Sequence, residues 1–221
     1  MIEMPNFDKS YDYETYFHLT LNSARLGKFI AHYEAYKMIR SIPGAIVECG
    51  VFKGTSFARF AQFRSLLDNQ ESAKLIAFDV FNDETPDTEF EEDKAFREHW
   101  IKTAGPSSIG VRQLEEVFNH MGISNYELIA GDAVVSVPNY IKEHPELKIS
   151  LLNVDIDYVE PTTAVMENLY DRVMPGGIIL IDNYAAYHGD TKAVDDFLDG
   201  VDAQILRFPF AARPAYIIKS T

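Results

Sequence analysis

Apolar positions along the chain fall into two kinds of pattern. Short runs that are apolar at nearly every position occur at Ala45–Val51, Leu75–Phe81, Glu127–Asp132, Ser150–Asp157 and Gly177–Asp182. Such runs predict strands buried on both faces, as in a parallel sheet covered by helices. Between them the spacing changes to three and four. Thr55–Leu67 sets Phe57, Phe60, Ala61, Arg64 and Leu67 on one helical face, with Thr55 or Ser56 available as a cap. Val134–His144 and Pro161–Met174 also predict helices, the second opening with Pro161 near its first turn. Ahead of the first strand, Ala24–Ile39 carries Leu26, Phe29, Ile30, Tyr33 and Tyr36 on one face, which predicts an amphipathic helix packed on the body. Two further runs, Gln204–Phe210 and Ala215–Lys219, lie close enough to pair as antiparallel strands at one edge.

Strands alternating with helices imply right-handed βαβ units and a mostly parallel sheet covered on both faces. The expected organisation is one α/β domain over 1–221, with an N-terminal helical arm (1–42), a body (43–221) and a lid insertion near 82–120. Between Asp83 and Glu98 lie eight acids and two bases, a net −6 out of a chain total of −14. That stretch reads as a solvated, partly helical insertion. The acidity of the whole chain argues against a nucleic-acid or anionic-membrane partner, since both need a basic face. Cys49 is the only cysteine, so an intramolecular disulfide and a cysteine-rich zinc site are excluded, and a reducing, cytoplasmic setting is expected. No basic-then-apolar leader and no membrane-length apolar run is visible.

In an open α/β sheet ligands bind beyond the carboxyl ends of the strands, near the switch in strand order. The first strand runs into Glu48, Cys49 and Gly50, then Gly54, Thr55 and a helix start. The glycines permit a tight turn and a close backbone approach to a ligand. Their G-x-x-x-G spacing is neither the G-x-G-x-x-G dinucleotide fingerprint nor a phosphate loop, which disfavours an NAD-dependent oxidoreductase. An acid at Glu48 suits a cationic ligand better than a pyrophosphate. Asp79, ending the second strand, is placed to accept the two hydroxyls of a ribose, and Asp132, ending the third, to accept an adenine amino group or simply to cap a helix. A nucleoside carrying positive charge and no phosphate fits this set, and S-adenosylmethionine (SAM) meets that description.

The later strands supply a second group. Asp155 and Asp157 are two apart, which places them on one side of the fourth strand, and Asp182–Asn183 closes the fifth. Carboxylate and amide oxygens converging there would make a hard-oxygen site suited to magnesium, with loop capping as the alternative. His188 follows in the next loop, either as a base or as a surface histidine. Trp100, with Phe96, Ile101 and Leu114, suits the apolar underside of a lid or a plain insertion core, and Cys49 a small buried side chain.

These residues resemble a class I SAM-dependent methyltransferase, and more narrowly the macrocin O-methyltransferase family, which methylates sugar hydroxyls using SAM and magnesium. The resemblance runs from about Arg25 to the C-terminus. It is carried by Ile46–Gly54, Phe78–Asp79, Val154–Thr162 and Pro175–Tyr184. It departs at Glu48-Cys49-Gly50, where the family usually has Glu-Thr-Gly, and at Asn183, where it usually has Asp. An Asn there is similar to catechol-type enzymes, whose metal site uses two aspartates and an asparagine. The resemblance implies a Rossmann-like, seven-stranded fold with an antiparallel edge strand. It implies SAM contacts from Glu48, Gly50, Gly54, Asp79 and Asp132, with Thr55 at the adjoining helix start. It also implies metal ligation by Asp155, Asp182 and Asn183, with Asp155 doubling as the base and Asp157 in reserve. The expected substrate is a sugar or glycosylated small molecule, with a phenol or an amino-sugar nitrogen as alternative acceptors. A homodimer is left open, as is a non-catalytic nucleoside-binding role.

Overall fold

The computed structural model describes residues 1–84 and 88–220. Seven strands form one sheet in the order β3-β2-β1-β4-β5-β7-β6. They are β1 (Ala45–Cys49), β2 (Leu75–Asp79), β3 (Tyr126–Ala130), β4 (Ile149–Val154), β5 (Val173–Ile181), β6 (Ile205–Arg207) and β7 (Ala215–Ile218). β1 to β5 run parallel, and β7 is antiparallel to both β5 and β6. The antiparallel strand therefore lies second from the edge, with β6 outside it. The order reverses between β1 and β4, so the crevice expected of such sheets opens above those two strands.

Alternation along the central strands builds two cores. Ile46, Leu151 and Leu180 face a layer that contains α2 (Ser23–Ile39), α3 (Thr55–Leu67) and α5 (Val111–Met121). Their neighbours Val47, Leu152 and Ile179 face the other layer, with α6 (Ala133–Glu143), α7 (Val159–Leu169) and α8 (His188–Leu198). Cys49 belongs to this second core, fully buried as anticipated. Arg64, read as part of an apolar face, is also fully buried, and its guanidinium donates to the carbonyls of Ala73 (2.7 Å) and Asn125 (3.0 Å). Burial of that charge is sustained by hydrogen bonds to loop carbonyls.

Four expectations shift. The face that α2 turns inward is Gly27, Ala31, His32, Ala35, Tyr36 and Ile39, whereas Leu26 and Ile30 are exposed. Small residues win there because the helix lies close to the C-terminal segment: a Cβ on Gly27 would sit 3.2 Å from the Phe210 carbonyl oxygen. A further helix, α1 (Ser10–Thr20), precedes α2 in the arm and buries none of its residues. Val173 and Met174, expected at the end of the Pro161–Met174 helix, lie with Pro175–Gly177 in an extended start of β5, opposite a register shift between Ile149 and Leu151 of β4. The region 82–120 divides into α4 (Glu91–Ala104) and α5, with Thr85, Pro86 and Asp87 of the acidic stretch outside the described residues. α5 is part of the body, since Phe118 stacks on Phe57 of α3 at 5.5 Å and Leu114 is buried. Among the described residues no helix is long and apolar enough to cross a membrane.

Candidate active site

A cavity of about 640 Å³ opens over the carboxyl ends of β1 to β5, roofed by α4 and walled on one side by the arm. Its position follows from the strand order, and its lining divides into two halves.

The first half surrounds the end of β1. Gly50 (φ 89°) leaves β1 so close to β4 that a Cβ would fall 1.9 Å from the Asp155 carbonyl oxygen, so only glycine fits. Asp79 accepts hydrogen bonds from the backbone N–H groups of Val51 (2.6 Å) and Phe52 (3.0 Å) through Oδ2, and from Phe81 (2.8 Å) through Oδ1. It thus organises the β1–α3 turn while still lining the cavity, and a carboxylate retains further lone pairs for a ligand. Phe52, inside that turn, is held at φ 50°, an uncommon conformation for a bulky residue and one that clusters at functional sites. Thr55 opens α3 at the cavity wall. Asp132 lines the wall too and caps α6, its Oδ1 accepting from Val134 N–H at 2.9 Å, so the capping reading and the cavity position hold together.

Two expected members of this half lie elsewhere. Glu48 is fully buried on the α2/α3 side of β1 and is not part of the lining. Its Oε1 accepts from Ser56 Oγ at 2.6 Å, and burial pushes its carboxyl up to about 7. Strand alternation is the reason: in β1 the even positions face the first core, so Glu48 projects beside Ile46. Gly54 (φ 82°) caps α3 against Ile109, behind the lining.

The second half gathers at the ends of β4 and β5. Asp155 and Asp182 converge as expected, but on an ammonium group. Lys28 Nζ, reaching from α2, lies 2.7 Å from Asp182 Oδ2 and 3.1 Å from Asp155 Oδ2. β4 ends at Val154, so alternation does not govern Asp155 and Asp157. Asp157 instead sits in a left-handed conformation (φ 76°) and accepts from Asn183 Nδ2. The Asn183 amide oxygen is taken by Arg213 Nη1 at 2.6 Å. Beneath them Asp190, fully buried at the start of α8, accepts from Thr162 Oγ1 (3.1 Å), Asp157 N–H (3.3 Å) and Asn183 N–H (3.2 Å). It ties both strand ends together. His188 begins the same helix outside the cavity lining.

The charges interact strongly. Burial, and then the charge of Asp182, push the Asp155 carboxyl well above the usual range. Burial also disfavours the Asp182 carboxylate, but the Lys28 ammonium outweighs it and holds Asp182 below that range. For Lys28 burial works against the charge and the two carboxylates more than restore it, so it stays protonated. The Lys28 ammonium thus holds Asp182 as an anion beside Asp155.

Magnesium fits this arrangement poorly. Two of the three expected ligand residues, Asp155 and Asp182, turn a carboxylate oxygen to Lys28, and the amide oxygen of the third, Asn183, is held by Arg213. Among the described residues no three His, Cys, Asp or Glu side chains are grouped to hold a metal ion. A methyl donor of nucleoside type fits better, since the first half offers a glycine-lined turn, a carboxylate at the end of β2 and a helix start.

Among the contributors to the cavity that the sequence does not mark are Lys28, Arg59 and Arg213. Lys28 had a signal, because it heads the inward face of α2 at i, i+3, i+4 and i+7 with Ala31, His32 and Ala35. Trp100 of α4 closes the roof, 5.5 Å from the Phe52 ring and 6.3 Å from Phe96, and Tyr187 packs on Phe96 at 3.9 Å and under the Arg213 guanidinium.

The sheet order and the cavity above its switch point define the Rossmann-like fold of SAM-dependent methyltransferases. Comparison with known proteins narrows the class: residues 9–207 match the macrocin-O-methyltransferase (TylF) family, and the chain belongs to it. A curated relative from Streptomyces olivaceus, named as a rhamnosyl-tetracenomycin C 4'-O-methyltransferase, is 27% identical over 150 residues, covering 65% of this chain and 54% of the relative. The match thus spans about half the length of that relative. Among solved structures, the calicheamicin methyltransferase CalS11 superposes with a TM-score of 0.75 at 22% identity, covering 96% of this chain and 86% of the other. The O-methyltransferase NovP gives 0.75 at 16% identity, covering 89% and 81%. These two likenesses establish the fold.

Proposed function

We propose that this chain transfers a methyl group from SAM to a hydroxyl of a sugar or glycosylated small molecule. The observation that carries the reading is the two-part cavity, with Gly50, Asp79 and Asp132 on one side and the Lys28–Asp155–Asp182 cluster on the other. Family membership supports methyl transfer to oxygen. The sugar acceptor is supported by the rhamnosyl substrate in the name of the Streptomyces olivaceus relative and by apo CalS11, described as a TDP-rhamnose 3'-O-methyltransferase (24% identity, TM-score 0.68).

SAM supplies an electrophilic methyl on a sulfonium for in-line attack. The chain's own residues do the rest. Asp79 takes the ribose hydroxyls while fixing the turn that bears Gly50, and the start of α3 at Thr55 adds backbone N–H groups. Asp155, which lines the cavity at the end of β4 beside the Lys28 ammonium, takes the proton of the acceptor hydroxyl at a carboxylate oxygen. Lys28 and Asp182 hold that carboxylate in place, which keeps the acceptor oxygen in a near-attack position of about 3–3.5 Å. Trp100, Phe52 and Tyr187 exclude water from above and offer rings to a sugar face. Asp157, Asn183 and Asp190 support the strand ends and need not touch the substrate.

Calorimetry with SAM, its demethylated product and NAD tests the donor. Micromolar binding of the first two, with no heat from NAD, is expected; binding of NAD in preference to SAM would overturn the reading.

A further inference from the structure

We propose that Lys28 is the resident cation of the acceptor site, so that the Asp155–Asp182 pair works with an ammonium from the N-terminal arm in place of a divalent metal ion.

The argument is one of position. Nζ bridges one oxygen of each carboxylate, at 3.1 and 2.7 Å, on the side facing the cavity. A Mg²⁺ bridging the same two oxygens would need them at about 2.0–2.1 Å and would have to expel the ammonium from between them. Expulsion is obstructed by the way α2 is packed. Lys28 shares its helix face with Ala31, His32 and Ala35, all fully buried, and its side chain is only 18% exposed. Leaving the pair would strand a buried ammonium without a carboxylate, and like charges would oppose a dication entering beside it. The expected third ligand is engaged as well, because Asn183 spends its amide oxygen on Arg213 and its amide nitrogen on Asp157. Asp182 keeps one buried oxygen, Oδ1, without a hydrogen-bond donor among the described residues, and Nζ holds its other oxygen at 2.7 Å. Lys28 is therefore a positioning residue for the base, and it makes the arm part of the acceptor site. The proposal rests on the methyl-transfer reading for its catalytic consequence, whereas its metal arm rests on geometry alone.

The test is a Mn²⁺ titration followed by the electron paramagnetic resonance of free Mn²⁺, on the full-length wild type, Lys28→Ala and Lys28→Met. Wild type is expected to leave Mn²⁺ free up to about 1 mM, and Lys28→Ala to bind at least about ten-fold more tightly. Lys28→Met keeps an apolar stem in the same space and serves if the alanine variant fails to fold by circular dichroism. In parallel, wild-type methyl transfer should be unchanged by EDTA, while both variants lose turnover. Tight Mn²⁺ binding by wild type, equal weak binding by wild type and both variants, or loss of wild-type turnover in EDTA would each overturn the proposal. A chain that does not bind SAM yet shows the Mn²⁺ contrast would instead refute the methyl-transfer reading and leave the cation assignment standing.

Discussion

Replacing Gly50 by alanine should damage the fold and the site together, and the structure sets the scale. At φ 89° an L-residue is strained by about 1–2 kcal/mol. The new Cβ would lie 1.9 Å from the Asp155 carbonyl oxygen and 2.5 Å from its carbonyl carbon, where contact normally begins at about 3.5 Å. Backbone must move, and the backbone concerned is joined across β1 and β4 by the Asp155 N–H to Cys49 C=O hydrogen bond at 2.8 Å. Losing that buried bond adds about 1–3 kcal/mol, for a total of about 2–5 kcal/mol. Gly200→Ala is the control, because Gly200 has a similar φ of 80° with nothing within 4 Å of its Cβ position. It should cost only the conformational strain of about 1–2 kcal/mol. Urea unfolding of both variants measures the difference. Since Asp155 moves with its backbone, Gly50→Ala should also lose methyl transfer even where it is folded. Equal destabilisation by the two substitutions would show that the Gly50–Asp155 approach is not the constraint described.

Asp155→Asn keeps the shape and removes the proposed base, so turnover should fall by about 10²–10⁴-fold. SAM affinity by calorimetry should stay within a few-fold, and a variant with near wild-type turnover would remove Asp155 from proton transfer. Glu48, raised by burial from 4.5 to about 7, binds a proton in the folded state that the unfolded chain has already released. Its contribution to stability is therefore greatest below the unfolded value and declines as pH rises toward about 7, by up to about 1.4 kcal/mol per pH unit. Glu48→Gln should flatten that slope in urea titrations between pH 5 and 7; an unchanged slope assigns it to another group, Asp190 being the next candidate with a carboxyl also pushed up to about 7. Trp100→Ala should raise the KM for the acceptor with little effect on SAM binding, and an unaltered KM would take α4 out of the acceptor site.

The parallel body was legible because its strands are apolar on both sides, and all five runs from Ala45 to Asp182 became β1 to β5. The acids at strand ends were legible for a related reason: a carboxylate closing an apolar run must face the crevice or a cap, and Asp79, Asp132, Asp155 and Asp182 all line the cavity. Glu48 misled because it lies inside a strand, where alternation decides its side. What stayed hidden depended on contacts remote in sequence. Lys28 is 127 residues from Asp155 and 154 from Asp182, so nothing local marks it as their partner. The inward face of α2 differs from the expected one because close packing favours Gly27, Ala31 and Ala35 over Leu26 and Ile30, a choice made by remote partners: the C-terminal segment at Gly27, and β4, β5 and α3 for the helix as a whole. Asp190 carried no pattern at all, and its importance appears only when three hydrogen bonds converge on it.

The central claim is that this cavity moves a methyl group from SAM to a sugar oxygen with Asp155 as the base. The most direct measurement offers methyl-labelled SAM and a panel of nucleotide-linked sugars and glycosides to wild type and to Asp155→Asn, with the label located in the product by mass spectrometry. Label on a sugar hydroxyl with wild type, and almost none with the variant, is the expected result. Label on nitrogen or on a phenol alone, or equal labelling by both proteins, would contradict the account.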